Sequence, residues 1–219
     1  MNKVFIVGGS GKIARHLAKQ LSSRGHAPLS LYRHAEQADE IKALGSTPVH
    51  GDLLELDVST LAHLMTGSDV VVFAAGAGGK GGPEMTNAVD GRGLELAVAA
   101  AQKAGVQRFL LISAFPEASR GKEVSETFEN YMAVKKQADV HLVESALDWV
   151  ILRPGLLLDS PASGKVRADF AIAYGEVARS DVAATLVEII ERPKIKRAII
   201  ELTQGDTPVD QAIKRLARH

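Results

Sequence analysis

The stretch Val4-Phe5-Ile6-Val7-Gly8-Gly9-Ser10-Gly11-Lys12-Ile13-Ala14 decides the fold of this chain. Its first four residues form a short apolar run of β-forming residues, which predicts a buried strand. Glycines then interrupt the run, and apolar residues recur at helical spacing from Ile13 until Gly25. A strand that passes through a glycine turn into a helix is typical of the start of a βαβ unit.

The same alternation of short apolar runs and helical patterns continues along the chain. Strands are predicted at Val4–Val7, Leu29–Tyr32, Thr47–His50, Val70–Ala74, Phe109–Ile112, Trp149–Leu152 and Ala198–Leu202. Later helices are predicted at Asp39–Leu44, Leu94–Ala104, Phe128–Ser145, Asp181–Glu191 and Val209–Ala217. Because the runs lack in–out alternation, they predict a parallel sheet covered on both faces. We therefore expect an α/β protein with one Rossmann-like, doubly wound, mainly parallel sheet of about seven strands.

Composition narrows the class of protein. The 219 residues carry 26 Lys and Arg against 26 Asp and Glu, a balance that predicts neither a nucleic-acid nor a membrane partner. Cysteine is absent and no two of the seven His lie within four positions, so no metal site is predicted. Without a signal-like or membrane-spanning run, we expect a cytoplasmic protein with a small-molecule substrate. Composition leaves the oligomeric state open.

The glycine turn predicts a dinucleotide site. Gly8 suits the tight turn, Gly11 lets a pyrophosphate approach the backbone, and Ala14 keeps the helix close to the strand. The helix that follows presents unpaired N–H groups and a positive dipole end to phosphate. We therefore assign Gly8, Ser10, Gly11, Lys12 and Ile13 to cofactor binding; the alternative is an ordinary tight turn.

The end of the second predicted strand bears on the choice between NAD and NADP. An NAD site places Asp or Glu there, whereas this sequence reads Leu31-Tyr32-Arg33 with no acid before Glu36. A guanidinium is permanently charged and bidentate, which suits a 2′-phosphate. NADP(H) is therefore favoured over NAD(H), although Arg33 is alternatively a solvated surface residue.

Two further strand ends are assigned to the same cofactor site. In His50-Gly51-Asp52-Leu53, the Asp52 carboxylate is placed to accept a hydrogen bond from the adenine amino group, with Leu53 beside it. The alternative for Asp52 is a helix N-cap. Ala74, Ala75 and Gly76 end the fourth strand, where small residues let a cofactor ribose lie against the backbone.

The chemistry is predicted to lie on one long helix. Tyr131 and Lys135 are four residues apart and so share a helix face. A nearby ammonium lowers the pKa of a phenol towards neutrality, which predicts Tyr131 as the general acid for a carbonyl oxygen. Lys135 is also predicted to hold the nicotinamide ribose. The alternative is a surface tyrosine that happens to neighbour a lysine.

Several motifs together resemble the atypical short-chain dehydrogenases/reductases, in their NAD(P)H-binding, NmrA-like and epimerase/dehydratase-like group. Beside the glycine turn, the resemblance rests on Val89-Asp90-Gly91, Ala104-Gly105-Val106-Gln107-Arg108-Phe109, Ala138-Asp139, Ser145-Ala146-Leu147-Asp148-Trp149, Ile151-Leu152-Arg153-Pro154-Gly155 and Ser180-Asp181-Val182-Ala183. It covers nearly the whole chain. It implies one NAD(P)-binding Rossmann domain over residues 1–219, with a small substrate-side region from about 155 to 219.

The resemblance also implies catalytic roles. The family's set is Ser, Tyr and Lys, often with Asn, and Tyr131 and Lys135 match it. Ser113 ends the fifth strand, one or two positions before the family's usual serine position. Asp90 resembles the acid that atypical members carry in place of the Asn, with a helix N-cap as the alternative. Pro154 matches the segment that flanks the nicotinamide.

These features predict an NADP(H)-dependent oxidoreductase that acts on a small carbonyl, a quinone or a related compound. Two alternatives stay open. One is an NADP-binding redox sensor without turnover, and the other is a small epimerase, because oxidation and re-reduction use the same three groups. The sequence does not identify the substrate.

Overall fold

The computed structural model describes residues 1–217, in which nine strands form one sheet in the order β11-β8-β10-β6-β5-β4-β1-β2-β3. These strands are β1 Lys3–Val7, β2 Ala27–Tyr32, β3 Thr47–His50, β4 Val70–Phe73, β5 Arg108–Ile112, β6 Asp148–Pro154, β8 Lys165–Asp169, β10 Ala198–Gln204 and β11 Thr207–Pro208. The strands β7 Leu156–Leu158 and β9 Glu176–Ala178 pair separately.

The helices connect successive strands. They are α1 Lys12–Ser23, α2 Ala38–Ala43, α3 Val58–Met65, α4 Gly82–Thr86, α5 Gly93–Lys103, α6 Glu126–Glu144, α7 Arg179–Ile190 and α8 Val209–Leu216. A short 3₁₀ turn, Ala35–Gln37, precedes α2, and a π-helical segment, Asn87–Arg92, leads into α5. Within residues 1–217, no helix is both long enough and apolar enough to cross a membrane.

The predicted Rossmann-like α/β fold is confirmed, and all seven predicted strands are present and pair with one another in parallel. The predicted strand number was too low, because β8 and β11 add an antiparallel edge next to β10. Lys165–Asp169 alternates exposed and buried residues with charges on its open face, so it lacks the apolar run by which the other strands were recognised. β11 has two residues, one of them Pro208.

Side-chain alternation along each central strand builds an apolar layer on each face of the sheet. In β1, Val4 and Ile6 belong to the apolar layer that includes residues of α1, α7 and α8, whereas Phe5 and Val7 belong to the layer that includes residues of α3, α5 and α6. All four side chains are fully buried, which is why the strand reads as a continuous apolar run. The sheet is therefore doubly wound, as predicted.

The strand order reverses at β1, which pairs with β2 on one side and with β4 on the other. In open parallel sheets, ligands bind in the crevice beyond the carboxyl ends of the strands at such a point. Val7, Tyr32, Phe73 and Ile112 end their strands at this edge. The fold thus brings together the turns that follow β1, β2, β4 and β5.

Candidate functional site

Two adjoining cavities lie along this edge of the sheet. The first, of about 340 Å³, extends from the glycine turn to Arg33 and Asp52, and we call it the adenosine cleft. The second, of about 700 Å³, extends from the glycine turn to Ser113 and Tyr131, and we call it the reaction cavity. Both are lined by Gly11 and by residues 74–77. Together they make a continuous groove beside the start of α1.

The glycine turn has the backbone geometry of a phosphate cradle. Gly8 has a φ of +80°, and a Cβ there would lie 2.6 Å from Cα of Ala75. Gly11 precedes α1, and no side chain of the described residues caps that helix, whose first turn holds no acidic residue. The free N–H groups and positive dipole end of α1 therefore face the groove. Ser10, Lys12 and Ile13 also line it, as the sequence analysis placed them.

Gly11→Val is expected to weaken nucleotide binding by roughly 1–3 kcal/mol, the scale of charge-assisted hydrogen bonds, with little effect on folding. The backbone of Gly11 has φ −67°, which valine adopts, and a Cβ would lie 3.2 Å from the Gly8 carbonyl oxygen and 3.8 Å from that of Ala74. The new side chain would instead fill the cradle. Fluorescence titration with NADPH and a thermal melt measure the two effects.

Gly9→Val is the matched control for Gly11→Val. A Cβ at Gly9 would lie 2.4 Å from Cβ of Ser30, so this variant is expected to lose about 1–3 kcal/mol of stability through overpacking. If Gly11→Val retains its NADPH affinity, the turn does not hold phosphate.

The adenosine cleft ends at two charged residues. The Arg33 side chain is 49% exposed, its Nε donates to Nε2 of His34 at 2.9 Å, and it lies 4.0 Å from Oδ2 of Asp52. The Asp52 Oδ1 accepts a hydrogen bond from the Leu54 N–H at 2.9 Å, so this carboxylate caps a turn and does not cap a helix. One oxygen of Asp52 thus remains directed towards Arg33.

The small residues at the end of β4 line both cavities, as expected of a surface for a flat ligand. Ala74 anchors the segment by donating its N–H to the Val7 carbonyl at 3.0 Å. Gly76 lies so close to Asp90 that a Cβ would be 3.1 Å from Oδ1. Leu53 closes the cleft from the far side.

The placement of Pro154 differs from the prediction. It ends β6, is buried, pairs with Leu202 of β10 and lines neither the adenosine cleft nor the reaction cavity. The strand β6 continues through Pro154 in the sheet. Leu157 of β7 lines the reaction cavity from this side instead.

Helix α6 carries the predicted phenol and ammonium into the reaction cavity. Its N-cap Ser125 accepts a hydrogen bond from the Phe128 N–H at 3.2 Å, which fixes the start of the helix. Tyr131 is half-buried next to Phe128, with ring centroids 6.3 Å apart. Tyr131 and Lys135 both line the cavity, as their four-residue spacing predicted.

Lys135 forms a buried ion pair with Asp90. Its Nζ lies 3.5 Å from Oδ1 of Asp90 and donates to the Ile112 carbonyl at 2.9 Å. The other Asp90 oxygen accepts the Ala77 N–H at 2.9 Å. Asp90 lies inside the π-helical segment, so it is not a helix N-cap. It joins α6 to the loop after β4.

Ser113 brings a hydroxyl into the same cavity. Its N–H donates to the Leu152 carbonyl at 2.8 Å, which continues the pairing of β5 with β6. Its Oγ is buried and has no hydrogen-bond partner among residues 1–217. A buried hydroxyl without a partner costs free energy, so a ligand oxygen at this point would restore a hydrogen bond. The next two residues, Ala114 and Phe115, bring no hydroxyl.

The predicted lowering of the Tyr131 pKa is wrong for the protein without ligands. Burial, followed by the carboxylates of Asp90 and Asp139, raises the pKa of the phenol to about 12. The Lys135 ammonium is paired with Asp90, so its field at the phenol is largely offset. The sequence showed the lysine four residues away but not the Asp90 carboxylate that pairs with it.

Several residues that shape the groove were missed by the sequence analysis. Lys80 lines the adenosine cleft from the glycine-rich loop after β4, and Arg179 at the start of α7 lines the reaction cavity. Asp139 of α6 is buried and accepts two hydrogen bonds from the Arg153 guanidinium, at 2.8 and 3.1 Å. A lone basic residue outside any motif carries no sequence signal, so only the fold identifies Lys80 and Arg179.

The groove fits a dinucleotide by three independent features. The start of α1 offers unpaired N–H groups to a diphosphate, and the missing Cβ of Gly11 leaves room for it. Small residues at the end of β4 leave a flat wall for the ribose. Ser113 supplies an unsatisfied hydroxyl at the opposite end. The residues that are present therefore fit the cofactor.

Fold and site together define a Rossmann-type nucleotide-binding protein with the Tyr and Lys of the atypical short-chain dehydrogenases/reductases. The chain belongs to the NAD(P)H-binding family, whose sequence model matches residues 8–193. No feature of the match separates NADP from NAD.

Relatives of the chain share its whole length or a part of it. It is 33% identical over 215 residues to the uncharacterized sugar epimerase YhfK of Bacillus subtilis, covering 98% of this chain and all of the relative. A solved structure, a putative NAD-dependent epimerase/dehydratase from Bacillus halodurans, superposes with a TM-score of 0.90 at 30% identity, over 98% of this chain and all of that one. A third relative is the 4-hydroxy-2-methyl-3-oxo-4-farnesyl-3,4-dihydroquinoline-1-oxide ketoreductase of Stigmatella aurantiaca. This chain is 30% identical to it over 166 residues, which cover 69% of this chain and 49% of the ketoreductase.

Proposed function

We propose that the protein is an NADPH-dependent reductase of a small carbonyl compound, a quinone or a related acceptor. The observation that carries this proposal is the reaction cavity, where Ser113, Tyr131 and Lys135 meet beside the glycine turn. A relative described as a ketoreductase supports the reaction class. In this proposal, residues from about 155 onward supply the substrate side of the cavity, through Leu157 and Arg179.

The roles of the three residues follow from their atoms and surroundings. NADPH, when bound, supplies a hydride to the carbonyl carbon, and negative charge then develops on the carbonyl oxygen. Tyr131 donates its phenolic proton to that oxygen, and the buried Ser113 hydroxyl donates a hydrogen bond to it. Lys135, held by Asp90 and the Ile112 carbonyl, orients the nicotinamide ribose and places a positive charge near the phenol.

The apolar part of the cavity lining supports the same chemistry. The aromatic ring of Phe128 and the apolar side chain of Leu157 line the wall near Tyr131. Apolar walls limit water around the reacting groups, and electrostatic interactions there are stronger than in bulk water. A hydroxyl donor and a phenol therefore stabilise developing negative charge more strongly at this point than they would on an open surface.

The preference for NADP over NAD is proposed from Arg33. Its guanidinium lines the adenosine cleft, is about half exposed, and lies 4.0 Å from its carboxylate neighbour Asp52. That distance leaves most of its donors available for a bidentate contact with a 2′-phosphate. Lys80 adds a second positive charge at the same cleft.

We expect NADPH to bind more tightly than NADH by roughly 1–3 kcal/mol, the value of charge-assisted hydrogen bonds. Arg33→Ala should remove most of that difference, because it removes the bidentate partner of the 2′-phosphate. Calorimetric titration of NADPH and of NADH into the unaltered protein and into Arg33→Ala measures this difference in affinity. Arg215→Ala is the control, since Arg215 is exposed on α8 at the other edge of the sheet. Equal affinities in the unaltered protein would contradict NADP preference.

To test the reaction, the protein is mixed with NADPH and each member of a panel of small aldehydes, ketones and quinones, and the loss of NADPH absorbance is measured. Stoichiometric NADPH oxidation with a reduced product supports the reductase. Tight NADPH binding without turnover on any member supports a sensor. The relatives described as epimerases favour a second candidate, in which substrate stereochemistry changes without net NADPH consumption. Chiral analysis of recovered substrate distinguishes that outcome.

A further inference from the structure

Three charged side chains from distant parts of the chain meet at the mouth of the reaction cavity. The Asp159 carboxylate binds Lys12 Nζ at 2.5 Å through one oxygen and Arg179 Nη1 at 2.7 Å through the other. Lys12 belongs to the glycine turn, Asp159 follows β7, and Arg179 begins α7. Neither of the two ion pairs lies within a single element.

The two cations belong to the cavity, whereas the carboxylate lies outside its wall. Lys12 and Arg179 line the reaction cavity, and Asp159 does not. The Arg179 side chain is 23% exposed, and its Nη1 also donates to the Leu157 carbonyl at 3.2 Å. This second bond ties the guanidinium to the backbone of β7 independently of Asp159.

The ion pairs with Asp159 are suited to exchange. The side chains of Lys12 and Asp159 are 65% and 59% exposed, and exposed pairs of this kind contribute little to stability. The hydrogen bond from Lys12, together with the charge of Arg179, lowers the pKa of Asp159 below its usual value. The group between the two cations is therefore a carboxylate anion at neutral pH.

We propose that Lys12 and Arg179 form an anion-binding site at the mouth of the reaction cavity, and that Asp159 pairs with these two cations until a phosphate or carboxylate ligand displaces it. The geometry gives two sources for the anion. One is the diphosphate of the cofactor, because Lys12 follows Gly11 in the cradle. The other is an anionic group on the substrate, because Arg179 lines the cavity together with Tyr131. The proposal deepens the proposed function, but its geometry does not depend on turnover.

The first test uses the free protein and inorganic pyrophosphate, measured by calorimetry. Asp159→Asn should tighten pyrophosphate binding by about two- to fivefold, because it removes a weak competing ion pair. Arg179→Gln should weaken it by about tenfold or more, since a charged donor is lost. Asp210→Asn, an exposed carboxylate on α8, is the control and should leave the affinity unchanged. All of the altered side chains are at least partly exposed, so the variants are expected to fold.

The second test identifies the source of the anion. If the site takes the cofactor diphosphate, the NADPH affinity shifts in the same directions, while adenosine 2′-monophosphate, which lacks that diphosphate, binds all variants alike. If it takes a substrate anion, NADPH affinity is unchanged, and inorganic phosphate binding to the NADP⁺-saturated protein follows the variants instead. Unchanged affinities for pyrophosphate, NADPH and phosphate in Asp159→Asn and Arg179→Gln would overturn the inference. A protein that shows these shifts but reduces nothing contradicts the proposed function alone.

Discussion

Tyr131→Phe is expected to lower the rate of NADPH-dependent carbonyl reduction by about 10²–10⁴-fold, the usual contribution of a positioned general acid. The change removes one oxygen and little volume from a half-buried ring, so folding and NADPH affinity should be retained. Without the phenol, no proton donor is positioned to protonate the developing alkoxide. Single-turnover loss of NADPH absorbance measures the chemical step.

The raised pKa of Tyr131 adds a pH criterion to this experiment. With a pKa of about 12, the phenol stays protonated throughout the neutral and mildly basic range. A group whose pKa is raised keeps its proton until the pH reaches that raised pKa and loses the proton only at higher pH. The single-turnover rate of the unaltered protein should therefore show no fall from phenol ionisation between about pH 6 and 9.

Tyr174→Phe is the control for Tyr131→Phe, because Tyr174 packs edge-on against Phe115 and does not line the reaction cavity. It should leave the rate nearly unchanged. Quinones that accept a hydride without a proton donor should show a smaller effect than ketones. If Tyr131→Phe retains full activity on every reducible ketone, Tyr131 is not the acid.

Lys135→Met is expected to cost about 3–5 kcal/mol of unfolding free energy, because it leaves the Asp90 carboxylate buried without its cation. Asp90 is 3% exposed and Lys135 is 4% exposed, so water cannot take the place of either partner. The same change should weaken NADPH binding and reduce turnover, since the ammonium also serves the nicotinamide ribose in the proposed mechanism. Urea unfolding and NADPH titration measure the two effects.

A double variant separates the charge effect from loss of packing. Asp90→Asn combined with Lys135→Met removes both charges and retains an amide oxygen for the Ala77 N–H, so it should recover much of the lost stability. It should not recover turnover. A Lys135→Met protein within about 0.5 kcal/mol of the unaltered stability would contradict a structural role for the pair.

The central part of the fold could be predicted because the residues of its strands are buried in apolar surroundings on both faces of the sheet. Val4–Val7 is buried on both faces, so its apolar run identifies a parallel strand without any tertiary information. The glycine pattern and the Tyr/Lys spacing are also local. They predict from neighbouring residues alone that Gly11 lies in the turn before α1 and that Tyr131 shares a helix face with Lys135. The strand β8 was missed because one of its faces is exposed to solvent, so exposed and buried residues alternate in place of an apolar run.

The electrostatics of the site could not be predicted, because they depend on residues that only the fold brings together. Asp90 reaches Lys135 from the segment after β4. Burial, followed by this carboxylate and Asp139, raises the Tyr131 pKa against the expected direction. Asp159 likewise meets Lys12 and Arg179 only after β7 and α7 are in place. Sequence spacing carries no information on such long-range pairs.

The most direct test of the central claim is a crystal structure of the protein with NADP⁺. The account predicts the diphosphate over Gly11 at the start of α1, the 2′-phosphate at Arg33, and the nicotinamide in the reaction cavity with its ring beside Tyr131 and Ser113. A fully ordered cofactor whose nicotinamide lies outside that cavity, with Tyr131 touching neither ring nor ribose, would contradict it.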